Sequence, residues 1–358
     1  MQEEKKQAPS RKPVIILIVL VGILFIGIYA TIFAFAGTTQ FNASHKHNAI
    51  STTSSSSANN NIFLICGKDT VSGLTDVILL AKFDHNRGEV NILQIPRDTF
   101  VSWDHSNSKK INSVSVGEGG IKNLKNLLES SWKISIDYTI EFTLEAFSHF
   151  VDLVGGIAVN VPYDMNYEDP SQNLQIHLKA GNNLLYGDSA AQFVRFRSGY
   201  VQGDLARIDA QKIFMAALAK KITTELSPFK IPAIAGALIG EINTNMSLQE
   251  CLAFAKAALN IDMKNITMTT LPGKDARAQS NKGAWYYIIN RAATHDVINR
   301  YFRSAENPVL LSEFDRECFF CSHAYPHFEK IYNDQNYSIK EHRADDIIKN
   351  GIDIDIIP

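Results

Sequence analysis

Residues 61–99 read NIFLICGKDTVSGLTDVILLAKFDHNRGEVNILQIPRDT. Three short runs within this stretch, Asn61–Gly67, Val77–Phe83 and Glu89–Ile95, are rich in Ile, Val, Leu and Phe and are bounded by Gly, Asp and Pro. That pattern predicts strands of a well-buried sheet. His85-Asn86-Arg87-Gly88 separates the second run from the third and predicts a hairpin, which makes the sheet mixed. Further along the chain the period changes. Gly120–Ser130 and Thr143–Val154 have helical spacing, and Gly155-Gly156 closes the second before Ile157–Val161 returns as strand. From Asp204 to Thr224 the apolar residues Leu205, Ile208, Ile213, Met215, Leu218 and Ile222 recur at helical period. Ser247–Leu259 and Ala292–Phe302 read as further helices and Asn265–Leu271 as another strand. Strands interleaved with helices predict an α/β fold, a layered α-β-α domain with helices packed on a central mixed sheet.

Upstream of this domain, Val14 to Ala36 carries no charged side chain. At 1.5 Å per residue such a run reaches about 34 Å, enough for a bilayer's hydrocarbon layer. Lys5, Lys6, Arg11 and Lys12 precede it, so the positive-inside rule predicts a cytoplasmic N-terminus and an extracellular remainder. The expected organisation is a cytoplasmic tail (1–13), one transmembrane helix (14–36), a Ser/Asn-rich tether (37–60), an extracellular globular domain (61–303) and a C-terminal extension (304–358). Composition sets outer bounds. With 45% hydrophobic and 20% charged residues, the 358-residue chain can build a sizeable core. The formal charge is −2, and taking away the four basic and two acidic residues of positions 1–36 leaves −4. An exported domain of that charge argues against a nucleic-acid partner.

Polar groups gather where the predicted sheet ends. Asp69 follows the first strand and Asp76 opens the second. Two carboxylates at adjacent strand ends suit a shared Mg²⁺, which takes one or two carboxylates plus phosphate oxygens; each would equally serve as a turn cap. Arg97-Asp98 follows the third strand, with Lys110 and Asn112 on the next segment. The densest cationic cluster is Arg195-Phe196-Arg197, then Asp204, Arg207 and Gln211. If 195–197 is extended, both guanidiniums share one face, while Arg207 and Gln211 are i,i+4 neighbours on the following helix. Arginine is the natural phosphate clamp because its planar fork bonds two oxygens at once. A structural ion-pair network is the competing reading of the same cluster.

Taken in order, these segments resemble the LytR–CpsA–Psr family of cell-envelope proteins. The resemblance rests on Gly67-Lys68-Asp69, Leu74-Thr75-Asp76, Ile95-Pro96-Arg97-Asp98-Thr99, Lys110-Ile111-Asn112, Val151–Ile157 and Leu184–Gln211, with Leu271-Pro272-Gly273 as a later landmark. It implies an Mg²⁺-dependent phosphotransferase that moves a glycopolymer from a polyprenyl-pyrophosphate carrier onto peptidoglycan through a phosphodiester. By carry-over, Asp69 and Asp76 hold Mg²⁺, and Arg97, Lys110, Arg195, Arg197, Arg207 and Gln211 bind the pyrophosphate. Asp98 either orients Arg97 or assists deprotonation of the acceptor. Leu74 stands where such proteins often carry Arg, with Lys68 or Arg87 as substitutes for that contact. The lipid needs an apolar tunnel, and Leu124, Leu127, Leu128, Phe142, Phe147, Phe150, Val194 and Phe214 would either line it or form plain core. Two other readings use the same features: a polyprenyl-pyrophosphate hydrolase, and a tethered protein that binds lipid-linked precursors without reacting.

Four cysteines are too few for a disulfide framework in a chain of this length. Cys66 and Cys251 fall in apolar segments and read as packing residues. Cys318 and Cys321 form a CxxC near His323 and His327. Zinc would need two further ligands, and a local disulfide or free thiols are the other readings. Ile347-Ile348 and Ile352–Ile357 suggest that the tail adds an edge strand or packs across the domain.

Overall fold

The computed structural model describes residues 60–103, 108–169, 174–196, 204–230, 239–247, 261–278, 283–321 and 325–354, with positions 233, 234, 237, 250 and 254. The predicted membrane segment and tether, and most of the Ser247–Leu259 helix, lie outside these residues. Among the described residues no helix is long and apolar enough to cross a membrane.

The opening stretch forms β1 (Asn60–Lys68), β2 (Thr75–Asp84) and β3 (Glu89–Gln94), each antiparallel to the next. Then come β4 (Tyr138–Thr143), β5 (Ile157–Val161), β6 (Met165–Asp169), β7 (Leu174–Leu178) and β8 (Gly181–Leu185). The remaining strands are β9 (Ile242–Thr244), β10 (Ile266–Thr270), β11 (Gly273–Arg277), β12 (Trp285–Ile289) and β13 (Glu341–Arg343). Seven of these make one mixed sheet in the order β13-β10-β3-β2-β1-β4-β9, and β5/β8, β6/β7 and β11/β12 pair outside it. The predicted hairpin at His85–Gly88 joins β2 to β3, and Asp84 Oδ1 closes it by accepting from the N–H groups of Asn86 and Arg87.

Strand alternation splits the core in two. Phe63, Ile65, Leu79, Ala81 and Phe83 face one cluster; Ile62, Leu64, Cys66, Ile78 and Leu80 face the other. The second face is covered by α1 (Ile121–Trp132), whose Leu124, Leu127, Leu128 and Trp132 bury at helical spacing. The first face is covered by α2 (Leu144–Leu153), α3 (Gly187–Arg195) and α4 (Asp204–Lys220). Thr143 caps α2, its Oγ1 accepting from Ala146 N–H, and Gly155 and Gly156, at φ 88° and 79°, turn the chain sharply into β5. The result is the layered α-β-α arrangement that the patterning predicts.

The chain past residue 303 continues into both cores. Phe314, Phe320, Phe328 and Tyr332 join the second cluster with α5 (Arg291–Val297) and α6 (Pro326–Tyr332), whereas Ala344 and Ile347 of α7 (Ala344–Asn350) join the first. β13 adds an antiparallel edge strand to β10. The eight apolar residues considered for one lipid tunnel do not share a face. Leu124, Leu127 and Leu128 are buried on one side of the sheet; Phe147, Phe150 and Phe214 are buried on the other, with Phe142 and Val194 against them.

Candidate active site

β1, β3, β4 and β10 run parallel to one another, with β2 antiparallel among them. One edge of the sheet therefore collects four carboxyl ends and the start of β2. Open α/β sheets bind ligands in the crevice outside such carboxyl ends. Asp69, Asp76, Arg97 and Asp98 all follow or open strands at this edge.

The β1–β2 connection is a tight turn. Asp69 N–H donates to Leu74 O and Gly73 N–H to Asp69 O, with Gly73 at φ 70°. Asp69 Oδ1 accepts from Val71 N–H at 2.7 Å and Ser72 N–H at 2.9 Å. The Ser72 and Val71 amides, helped by the charge of Arg195, hold its carboxyl below the usual aspartate value against the opposing effect of burial. Asp69 is thus both a turn cap and a carboxylate under the field of Arg195.

Beside it runs a chain of alternating charge. Arg97 donates from one guanidinium nitrogen to Asp76 Oδ1 at 2.8 Å and places Nε 3.8 Å from Asp98. Lys110 Nζ donates to Asp98 Oδ1 at 2.7 Å and lies 5.6 Å from the Tyr286 ring centroid, a cation–π distance. The Arg97 and Lys110 side chains are only 20% and 25% exposed, so these charges interact in a medium poorer than bulk water. Local backbone contacts fix the row: Asn112 N–H donates to Arg97 O, Ile111 N–H to Thr99 O, and Tyr287 N–H to Asp98 O.

The second cationic group arrives from the helices on the first face. Arg195 ends α3, so the extended conformation considered for 195–197 does not hold there: the capped turn at Tyr186–Ser189 starts a helix that runs through it. Arg197 lies outside the described residues. Arg207 is buried on α4, one turn before Gln211. Gln211 is engaged within the protein, for its Oε1 accepts from Gln94 Nε2 at 2.5 Å and its Nε2 donates to Val194 O at 3.0 Å. Of the two substitutes for a cation at Leu74, Lys68 ends β1 at this edge, 3.6 Å from Glu141. Arg87 sits in the hairpin at the opposite end of β2, so it cannot reach the site.

Gln94 and Tyr286 are the members that sequence reasoning missed. Gln94 carried one signal, an amide closing an otherwise apolar run, and the structure buries it at the end of β3. Tyr286 carried none, being one aromatic among several in β12. For a metal, the donor set is informative. Among the described residues no group of three or more His, Cys, Asp or Glu is placed to hold an ion. Asp69 and Asp76 supply two hard carboxylates, the first held ionised and the second 40% exposed. Mg²⁺ completes such a pair with phosphate oxygens, so the residues fit that ion in company with a phosphorylated ligand.

Comparison with known proteins places these features in a wider set. A family model described as the LytR_cpsA_psr family matches residues 26–303. The polyisoprenyl-teichoic acid–peptidoglycan teichoic acid transferase TagV of Bacillus subtilis is 28% identical over 206 residues, which cover 57% of this chain and 53% of TagV. The protein of the same description named TagU from Bacillus cereus is 28% identical over 229 residues, 64% of this chain and 72% of TagU. The match thus spans about half the length of one relative and nearly three quarters of the other. The crystal structure of B. subtilis TagV superposes with a TM-score of 0.57 at 25% identity, covering 67% of this chain and 94% of that one.

Proposed function

Because the chain belongs to the LytR_cpsA_psr family, we propose that it is a membrane-anchored phosphotransferase. In this reading it moves a glycopolymer from a polyprenyl-pyrophosphate carrier onto a peptidoglycan sugar through a phosphodiester. Residues 14–36 span the membrane with the N-terminus in the cytoplasm, 37–60 form a tether, and the catalytic domain works outside the cell. The observation that carries the proposal is the chain Asp76–Arg97–Asp98–Lys110 at the carboxyl edge of the sheet, with Arg195 acting on Asp69. Its relatives' names, as teichoic acid transferases, point the same way.

The bonds change as follows. A hydroxyl oxygen of the acceptor sugar attacks the phosphorus that carries the glycan. The bond from that phosphorus to the bridging oxygen breaks, and polyprenyl phosphate leaves with the electron pair. The hydroxyl proton passes to the departing phosphate or to water. Phosphoryl transfer depends chiefly on positioning and on neutralising charge over the non-bridging oxygens. Arg97 supplies a fork that matches two of those oxygens, exchanging its bond to Asp76 for bonds to substrate. Asp98 lies between Lys110 and Arg97 and orients both. Arg195 and Arg207 add positive charge from the helix side, Arg197 is assigned to the same pyrophosphate by the family resemblance alone, and Gln211 acts as a positioning residue by tying α4 to β3. Asp69 and Asp76 would hold Mg²⁺, which supplies further charge neutralisation at the pyrophosphate when bound.

The test uses the full-length chain in detergent with a short-chain polyprenyl-pyrophosphate glycan, Mg²⁺ and a peptidoglycan oligomer, read by mass spectrometry. A phosphodiester-linked adduct that is absent with Arg97→Ala supports the proposal. Lipid phosphate released without an adduct would replace transfer by hydrolysis, and tight binding without cleavage would leave a carrier-binding protein.

A further inference from the structure

The CxxC of the sequence is a disulfide, Cys318–Cys321, in the loop between Asp315 and α6. It closes a loop of three-residue separation. Disulfides stabilise chiefly by restricting the unfolded chain, and more so for long loops, so one this short contributes little of that kind. The loop is also held without it. Asp315 accepts from the N–H groups of Phe319 and Phe320 and from the Tyr332 hydroxyl, at 3.0, 3.2 and 2.7 Å. Ser102 N–H donates to Phe319 O at 2.6 Å, and the Phe320 ring stacks on Trp132 with centroids 5.5 Å apart. The two sulfurs would therefore stay near each other if the bond between them opened.

Burial of the two cysteines is unequal. Cys321 is buried, at 5% exposure, whereas Cys318 is half-buried at a left-handed φ of 58°, a conformation that disfavours any residue with a Cβ. Both cysteines line a cavity of about 280 Å³. The charged groups facing that cavity are Arg291 and Arg316 on one side of the balance and Asp315 and Glu329 on the other.

We propose that Cys318–Cys321 is a thiol–disulfide exchange site whose substrate is a dithiol, with Cys318 Sγ the sulfur attacked. The incoming thiolate forms a mixed disulfide with Cys318, the original S–S bond breaks, and Cys321 leaves as thiolate. The second thiol of the reductant then attacks the mixed disulfide and releases Cys318. Two electrons pass to the protein, the reductant departs as a disulfide, and its two protons end on Cys318 and Cys321. Exchange in the reverse direction restores the bond. The proposal is independent of the phosphotransfer reading.

The experiment takes the full-length chain in detergent, without denaturant, and exposes it to dithiothreitol or to reduced thioredoxin. Acid quenching, alkylation and mass spectrometry of the peptide holding both cysteines then count the free thiols. The expected result is reduction in native buffer and full return of the disulfide once the reductant is replaced by oxidised dithiothreitol, which takes back the two electrons. Dithiothreitol acting alone assigns the site to small dithiols, and action by thioredoxin as well extends it to protein dithiols. With oxidised glutathione, Cys321→Ser, which keeps Cys318, forms the mixed disulfide at least about tenfold faster than Cys318→Ser. Reduction only in denaturant, failure to re-form, or equal reactivity of the two variants would overturn the proposal.

Discussion

Arg97 divides its guanidinium between Asp76 at 2.8 Å and Asp98 at 3.8 Å, a geometry that aims a planar fork from the sheet edge. The charge alone is not the useful property. Arg97→Ala should lower the transfer rate by about 10²–10³, the scale of losing one preorganised donor. Arg97→Lys should recover only part of this, because a point charge cannot bond two oxygens in a fixed plane. Initial rates at saturating carrier would check both. A second residue governs stability instead. Burial pushes the Asp315 carboxyl up to about 6 from an ordinary 3.8, outweighing the stabilising bonds from Tyr332, Phe320 and Phe319. A raised carboxyl value means that the folded state binds the proton more tightly than the unfolded chain. Its contribution is therefore fully present below about pH 4 and lost as pH rises through about 6, amounting to about 3 kcal/mol at most. Denaturant midpoints compared at pH 4 and pH 7 should show this loss in the native chain and its absence in Asp315→Asn.

At the level of elements, the site depends on a strut between α4 and β3. Gln94 is 3% exposed and donates to Gln211, which in turn donates to the last turn of α3. Gln211→Ala would leave the Gln94 amide buried without that partner, a loss of about 1–3 kcal/mol. It should also move Arg207, one turn away on α4. Thermal unfolding would report the first effect and a raised KM for the carrier the second. Elements of this kind divide sharply in how far sequence reveals them. β1, β2, β3, α2 and α4 are legible because each satisfies its own periodicity within a dozen or so residues. α3 is not, since Arg195-Phe196-Arg197 alternates like a strand while the capped turn at Tyr186–Ser189 starts a helix. β4 is also hidden, because its identity comes from a parallel partner, β1, some 75 residues upstream. The charged members of the site were legible as residue types near strand ends. Their pairing was not, because Lys110 meets Asp98, and Gln211 meets Gln94, only through the fold.

The described residues form two cores on one sheet, and the last fifty residues contribute to both. Phe314, Phe320 and Phe328 are at most 1% exposed, and Ala344 and Ile347 close the opposite face. Removing one buried phenylalanine side chain costs about 3–5 kcal/mol, and a domain's total stability is about 5–15 kcal/mol. A chain ending at residue 303 should therefore fail to give a cooperative melt, although composition and spacing alone suggest a boundary there. Both cores pack against the sheet whose carboxyl edge carries Asp69, Asp76, Arg97 and Asp98. The central claim, that this edge transfers a phosphoryl-linked glycan, is tested most directly by following one atom. A carrier labelled with ³²P only in the phosphate that bears the glycan would be given to the full-length chain together with peptidoglycan. The account predicts label in peptidoglycan as a phosphodiester, unlabelled lipid phosphate as the other product, and loss of both with Arg97→Ala. Label remaining with the lipid, or appearing in free glycan phosphate, would contradict it.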